Sequence, residues 1–110
     1  MDFILYCLDK PDGAEARRKT RADHLRYVSQ RQHMFRYGGP LIDEAGRVKG
    51  SLMIISARDR AELDRHMEGD PFFRTHLFGS VSIWSSRQVL PEAVEGALTE
   101  EMRQAEELAR

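Results

Sequence analysis

The chain has 110 residues, 41% of them hydrophobic and 32% charged, with a formal net charge of −1. That length fits one globular domain and leaves little room for a second. Both signs of charge are interspersed, so no broad basic field exists to hold a nucleic acid backbone, and no nucleic acid partner is expected.

Phe3 to Leu8 is an unbroken run of aromatic and branched apolar residues that ends in Asp9-Lys10-Pro11-Asp12-Gly13, a dense turn signal. This pattern predicts a strand. The run is too short for a membrane span and has no basic segment before it, so no membrane partner and no secretory leader are expected. A cytoplasmic location is the resulting expectation, and the single Cys7 then reads as a buried small hydrophobe in a reducing compartment. From Ala14 to about Phe35 there is no proline or glycine, and the spacing of Leu25, Val28 and Phe35 predicts a long helix with these residues on its buried stripe. Gly38-Gly39-Pro40 interrupts the next segment, so Met34–Tyr37 and Leu41-Ile42 are read as two parts of a short, irregular strand. Asp43-Glu44-Ala45-Gly46 is a turn at the tip of a hairpin.

Gly50 to Ser56 is the clearest strand. Asp59 starts a short helix through Ala61, Leu63 and Met67 that stops at Gly69, and Asp70-Pro71-Phe72-Phe73 opens another helical turn. Phe78 to Val89 is the last strand. The order is β-α-β-β-α-β, an α+β ferredoxin-like split β-α-β pattern with an antiparallel sheet and helices on one face. Residues 1–90 form this domain, and residues 91–110 form a C-terminal helical extension. In that extension Pro91 occupies a permitted helix-starting position and Thr99 is a second candidate cap. Gly96 is a candidate break between two helices, and Val94, Leu98, Met102 and Ala105 make a narrow apolar stripe.

The first and third strands are apolar on both faces, whereas two helices cover only one face of a four-stranded sheet. The uncovered face predicts a homodimer, a dimeric α/β barrel with sheets packed face to face, with higher assembly left open. The competing arrangement folds the C-terminal extension back over that face.

Arg17, Arg21, His24 and Val28 are spaced by four, three and four residues and fall along one stripe of the first helix. Two arginines in front of a histidine suit an anionic or phenolate-bearing small molecule, with the imidazole moving a proton. The alternative is a pair of solvated arginines and a hydrogen-bonded His24 at the edge of the core. Asp70-Pro71 is a helix start in its own right, since Asp is a favoured cap and Pro a favoured first residue. The capping role is compatible with a second one, in which one carboxylate oxygen caps while the other orients an imidazole and leaves its far nitrogen as a base. Gly39-Pro40 and Gly50-Ser51 are further candidates, as places where backbone approaches a ligand and Ser51 donates a hydrogen bond, against the plainer alternative of a bulge and a strand start. Phe72, Phe73, Phe78 and Trp84 are expected in the core, with one or two of them, Phe72 first, as a pocket wall. His24, His33, His66 and His76 show no metal-ligand spacing, and no metal is expected. There is no phosphate-cradling glycine loop, no G-x-S-x-G elbow and no cysteine nucleophile, so no cofactor is expected either.

In order and spacing, Arg21-Ala22-Asp23-His24-Leu25, Gly38-Gly39-Pro40, Gly50-Ser51, Asp70-Pro71-Phe72 and Leu77-Phe78 through Val81-Ser82-Ile83 resemble the YciI-like (YCII-related domain) family. These are small dimeric proteins of ferredoxin-like fold, and the resemblance covers roughly residues 1–90. It implies an active-site pair of His24 and Asp70 with Arg21 and Ser51 as neighbours. It also implies a relation to muconolactone isomerase, which carries out proton transfer on ring compounds in a similar dimeric fold. The expected function is acid–base chemistry of isomerase or lyase type on a small cyclic or phenolic substrate, without a cofactor. Arg21, Arg17, Gly39, Pro40, Ser51 and Phe72 are the expected substrate contacts. The alternative is a non-catalytic, metabolite-binding dimer.

Overall fold

In the computed structural model, which describes residues 1–110, strand alternation sets the layout. Phe3, Leu5 and Cys7 of β1 (Asp2–Asp9) share one face and are buried, as are Met53 and Ile55 of β3 (Val48–Ser56). Leu63 of α2 (Arg60–Gly69) meets them in one apolar cluster. Each large side chain buried in this way stabilises the fold by about 1.5–3 kcal/mol. The other strands are β2 (Phe35–Ile42) and β4 (Phe78–Ser86), and the sheet order is β2-β3-β1-β4 with every pairing antiparallel. The remaining helices are α1 (Ala14–Ser29), the single turn α3 (Pro71–Arg74) and α4 (Ala97–Leu108). This is the α+β ferredoxin-like arrangement that the element order predicts. No helix is long and apolar enough to cross a membrane.

Several boundaries differ from the sequence reading for local reasons. The first helix ends at Ser29 and a 3₁₀ turn, Gln32–Met34, leads into β2, instead of one helix running to Phe35. Side chains collect its last carbonyls in place of a glycine: Ser29 Oγ donates to the Arg26 carbonyl, Arg31 to that of Tyr27 and Gln32 to that of Ser29. Gly38-Gly39-Pro40 does not split β2, because β2 is an edge strand and tolerates a proline whose missing N–H would face outward. Its irregularity survives as register shifts after Phe35 and after Leu41. β4 stops at Ser86, short of Val89, and Pro91 starts no helix. There is one C-terminal helix, beginning after Gly96, whose φ of +86° suits glycine alone; Thr99 lies inside its first turn.

The opposite sheet face carries Ile4 between Ile54 and Trp84, and Tyr6 beside Leu52. Trp84, expected in the core, is instead 68% exposed because strand alternation turns it to this face with Ile4, and Met102 of α4 is 51% exposed, so the C-terminal helix does not seal that face. An Arg87–Glu101 ion pair ties α4 to the end of β4.

Gly50 has a structural task rather than a ligand-facing one. Any Cβ placed there would collide with the carbonyl oxygen of Cys7 on the neighbouring strand. Gly50→Ala is expected to lower the unfolding free energy by about 1–3 kcal/mol. Urea denaturation measures this, and an unchanged midpoint would contradict the close approach of β1 and β3.

Candidate active site

α2 ends at Gly69 and α3 begins at Pro71, leaving Asp70 in an extended conformation between them. Asp70 is fully buried. Its Oδ1 accepts the backbone N–H of Phe72 at 2.9 Å and lies 2.7 Å from Nδ1 of His24. A carboxylate at that distance fixes Nδ1 as the protonated nitrogen and leaves Nε2 free to accept. The His24 ring stacks on Phe72, with centroids 3.8 Å apart and planes 9° apart. Phe72 thus positions the acid through its amide and supports the imidazole through its ring. The sequence reading gave the two oxygens of Asp70 separate tasks, whereas one oxygen performs both, because cap and imidazole converge on the same side of the carboxylate. Oδ2 is buried with no hydrogen-bond partner.

His24 opens onto a cavity of about 590 Å³ between α1 and the β2–β3 side of the sheet. Arg17, Arg21, Gly39, Pro40, Ser51 and Phe72 all line it; Asp70 stands behind His24, outside the lining. Arg17 is buried, and its guanidinium donates to Asp9 at 2.7 and 2.9 Å and to Ser51 Oγ at 2.9 Å. It also lies 4.7 Å from the centroid of the Phe72 ring. Its charge is therefore matched, and Ser51 has Arg17 as its donor. Arg21 differs: it faces the cavity without a carboxylate, while Arg17, Arg18 and Arg26 each have one.

Leu25, expected on the buried stripe, is 43% exposed and borders the cavity instead. Helical spacing identified its face of α1 correctly, but that face meets open volume rather than core. Tyr37, Arg36 and Met53 also line the cavity and were missed. Tyr37 lies beside the glycine-proline segment, which was the available signal. Nothing in the sequence marks Asp9, read as a turn residue, as the partner of Arg17.

A second histidine lies close behind this site. The His66 ring is buried against Tyr27, at 5.3 Å, and the edge of Phe35, at 5.4 Å, between centroids. The Tyr27 hydroxyl donates to the His66 carbonyl at 2.7 Å, a reach allowed because Gly69 has no Cβ to meet the tyrosine ring. Burial pushes the His66 pKa below its ordinary 6.5, Asp70 opposes this, and Arg31 and His24 add to the depression. Burial likewise raises Tyr27, with Arg31 acting against it. Cys7 is pushed up to about 12, first by burial and then by Asp70, so its thiol is no nucleophile.

A depressed histidine pKa has a defined consequence for stability. Well above pH 6.5 the ring is neutral in both folded and unfolded chains. Below that value the unfolded chain takes up the proton first, so its contribution is lost as pH falls towards the folded pKa. The unfolding free energy is expected to decline with acidification below about pH 6.5, and His66→Phe should flatten that slope. Denaturant melts across this range test it; parallel slopes in the two proteins would refute the assignment.

No curated protein of known function matches the chain. Among solved structures, the chain is similar to 5-chloro-2-hydroxyhydroquinone dehydrochlorinase (TftG) from Burkholderia phenoliruptrix AC1100, determined in complex with 2,5-dihydroxybenzoquinone. That likeness has a TM-score of 0.74 at 26% identity and covers 80% of this chain and 95% of that one. SnoaB, a cofactor-independent oxygenase from Streptomyces nogalater, matches with a TM-score of 0.51 at 19% identity, over 83% of this chain and 96% of that one. PA3566 from Pseudomonas aeruginosa matches with a TM-score of 0.50 at 24% identity, over 79% and 91%. The last two show the fold alone. Residues 1–87 match the YCII-related domain, and the chain belongs to that family.

Proposed function

We propose that the protein is a small-molecule enzyme that performs acid–base chemistry, elimination or isomerisation, on a hydroxylated ring compound with its own side chains. The observation that carries this reading is the His24–Asp70 pair, 2.7 Å apart, at the wall of a cavity that also holds Arg21. Nε2 of His24 takes a proton from a ring hydroxyl or an activated ring carbon. The electron pair left behind moves onto oxygen, where Arg21 stabilises it. The imidazolium, steadied by Asp70, returns the proton to another ring atom. In an elimination, a ring hydroxyl then gives its proton to the again-neutral His24 as the leaving group departs with its bonding electrons. The apolar sides of Leu25, Val28 and Phe72 suit the ring faces of such a substrate. The likeness to TftG, whose substrate is a chlorinated hydroxyhydroquinone, supports the same class.

His24→Ala is expected to lower turnover by about 10²–10⁴-fold. Asp70→Asn should lower it as well, and Arg21→Ala should weaken both binding and turnover. Chlorinated hydroxyhydroquinones, phenols and lactones are the panel, read by chloride release and product absorbance. Full activity in His24→Ala would overturn the proposal. Thermal stabilisation by a ligand that is never converted would establish the metabolite-binding alternative instead.

The same reading includes a homodimer joined through the outer sheet face. Ile4, Tyr6, Leu52, Ile54 and Trp84 line one apolar face across three strands, with Tyr6 and Trp84 exposed on it, and two-fold pairing of identical faces covers such a surface. Light scattering is expected to give the mass of two chains for the wild type and of one for Trp84→Glu with unchanged circular dichroism. A monomeric wild type would refute this interface.

A further inference from the structure

Three buried side-chain polar atoms in the molecule have no hydrogen-bond partner: Oδ2 of Asp70 and both ring nitrogens of His66. Such atoms bear the full desolvation penalty of an unmade hydrogen bond, and native interiors rarely leave them so. All three belong to two residues one helical turn apart, His66 in the last turn of α2 and Asp70 directly after it. One is an acceptor with free lone pairs, and the other always carries at least one N–H.

We propose that His66 is the second imidazole of Asp70, its ring N–H donating to Oδ2 through one bridging water, so that the carboxylate is held between two histidines. His24 occupies Oδ1 on the cavity side and His66 occupies Oδ2 on the interior side. This single exchange satisfies two of the three orphaned atoms. It also supplies what the observed bonds lack: Oδ1 is shared by His24 and the Phe72 amide, and a donor on Oδ2 stops the carboxylate from turning about its Cβ–Cγ bond. His66 is thus a positioning residue for the pair. α1 presents Tyr27, whose hydroxyl is engaged on the His66 carbonyl, and His24. Arg31 comes just after α1 and stacks over Tyr27, the sheet presents the edge of Phe35 and, across a groove, Ser56, and Glu62 of α2 is engaged by Arg58.

The inference rests on the geometry of the His24–Asp70 pair that underlies the proposed reaction, but its test requires no turnover, so the two fail separately. Nitrogen-15 spectra of the histidine-labelled full chain near neutral pH should show His66 as one fixed neutral tautomer with a slowly exchanging ring proton. A ring averaging both tautomers would overturn the proposal. Asp70→Asn keeps an oxygen for the cap but replaces Oδ2 with an NH₂ donor, so the His66 ring must accept and its proton must move to the other nitrogen. An unchanged tautomer in that variant would also overturn it. Should Asp70→Asn fail to fold, His66→Gln and His66→Phe decide. The first keeps a donor and should leave the His24 Nδ1 proton resonance in place; the second removes it and should move that resonance downfield. Equal resonances in the two variants would reduce His66 to packing.

Discussion

A buried carboxylate at a helix junction needs partners for its lone pairs, and in this protein that requirement organises the site. Asp70 sits where α2 hands over to α3, and Pro71 makes the junction abrupt by fixing its own backbone at the first helical position. The Phe72 amide turns the carboxylate towards α1, where His24 meets it. Breaking such a buried arrangement from one side leaves the other side uncompensated, a penalty that exceeds the net worth of the bond itself. Local helix capping and long-range docking of α1 therefore stand or fall together. A residue that begins a single helical turn also fixes the orientation of an imidazole 46 positions earlier in the chain.

The cavity's electrostatics divide along α1. Arg17 is consumed by Asp9 and Ser51 and acts as a wall strut, its guanidinium face against Phe72. Arg21, one turn on, has no such commitment and faces the cavity without a carboxylate. Two arginines of identical chemistry and adjacent turns thus differ in role because only one has a carboxylate within reach at the end of β1.

Much of the fold was legible because it is written locally. Alternation in Phe3-Leu5-Cys7, the cap at Asp59 and the Asp70-Pro71 start each act over a few residues, and the order of elements followed from them. The end of α1 was not legible, since Ser29, Arg31 and Gln32 cap carbonyls through side-chain geometry that carries no composition signal. Within the site, helical spacing and the family resemblance drew attention to one stripe of α1. They said nothing of the partner of Arg17, nor of His66, which α2 carries one helical turn before Asp70. Where a face packs cannot be read from its polarity alone, as Leu25 shows: the same apolar residue suits a core or a ligand cavity.

β2 has a property that reaches beyond the cavity it borders. Sheet edges grow by adding strands when their free amides form an unbroken row, the step that leads to open-ended association. Pro40 removes one amide from that row, and the register shifts on either side of the strand's centre spoil its repeat. The lip of the cavity is thereby also a stop against templated self-addition along this edge of the sheet.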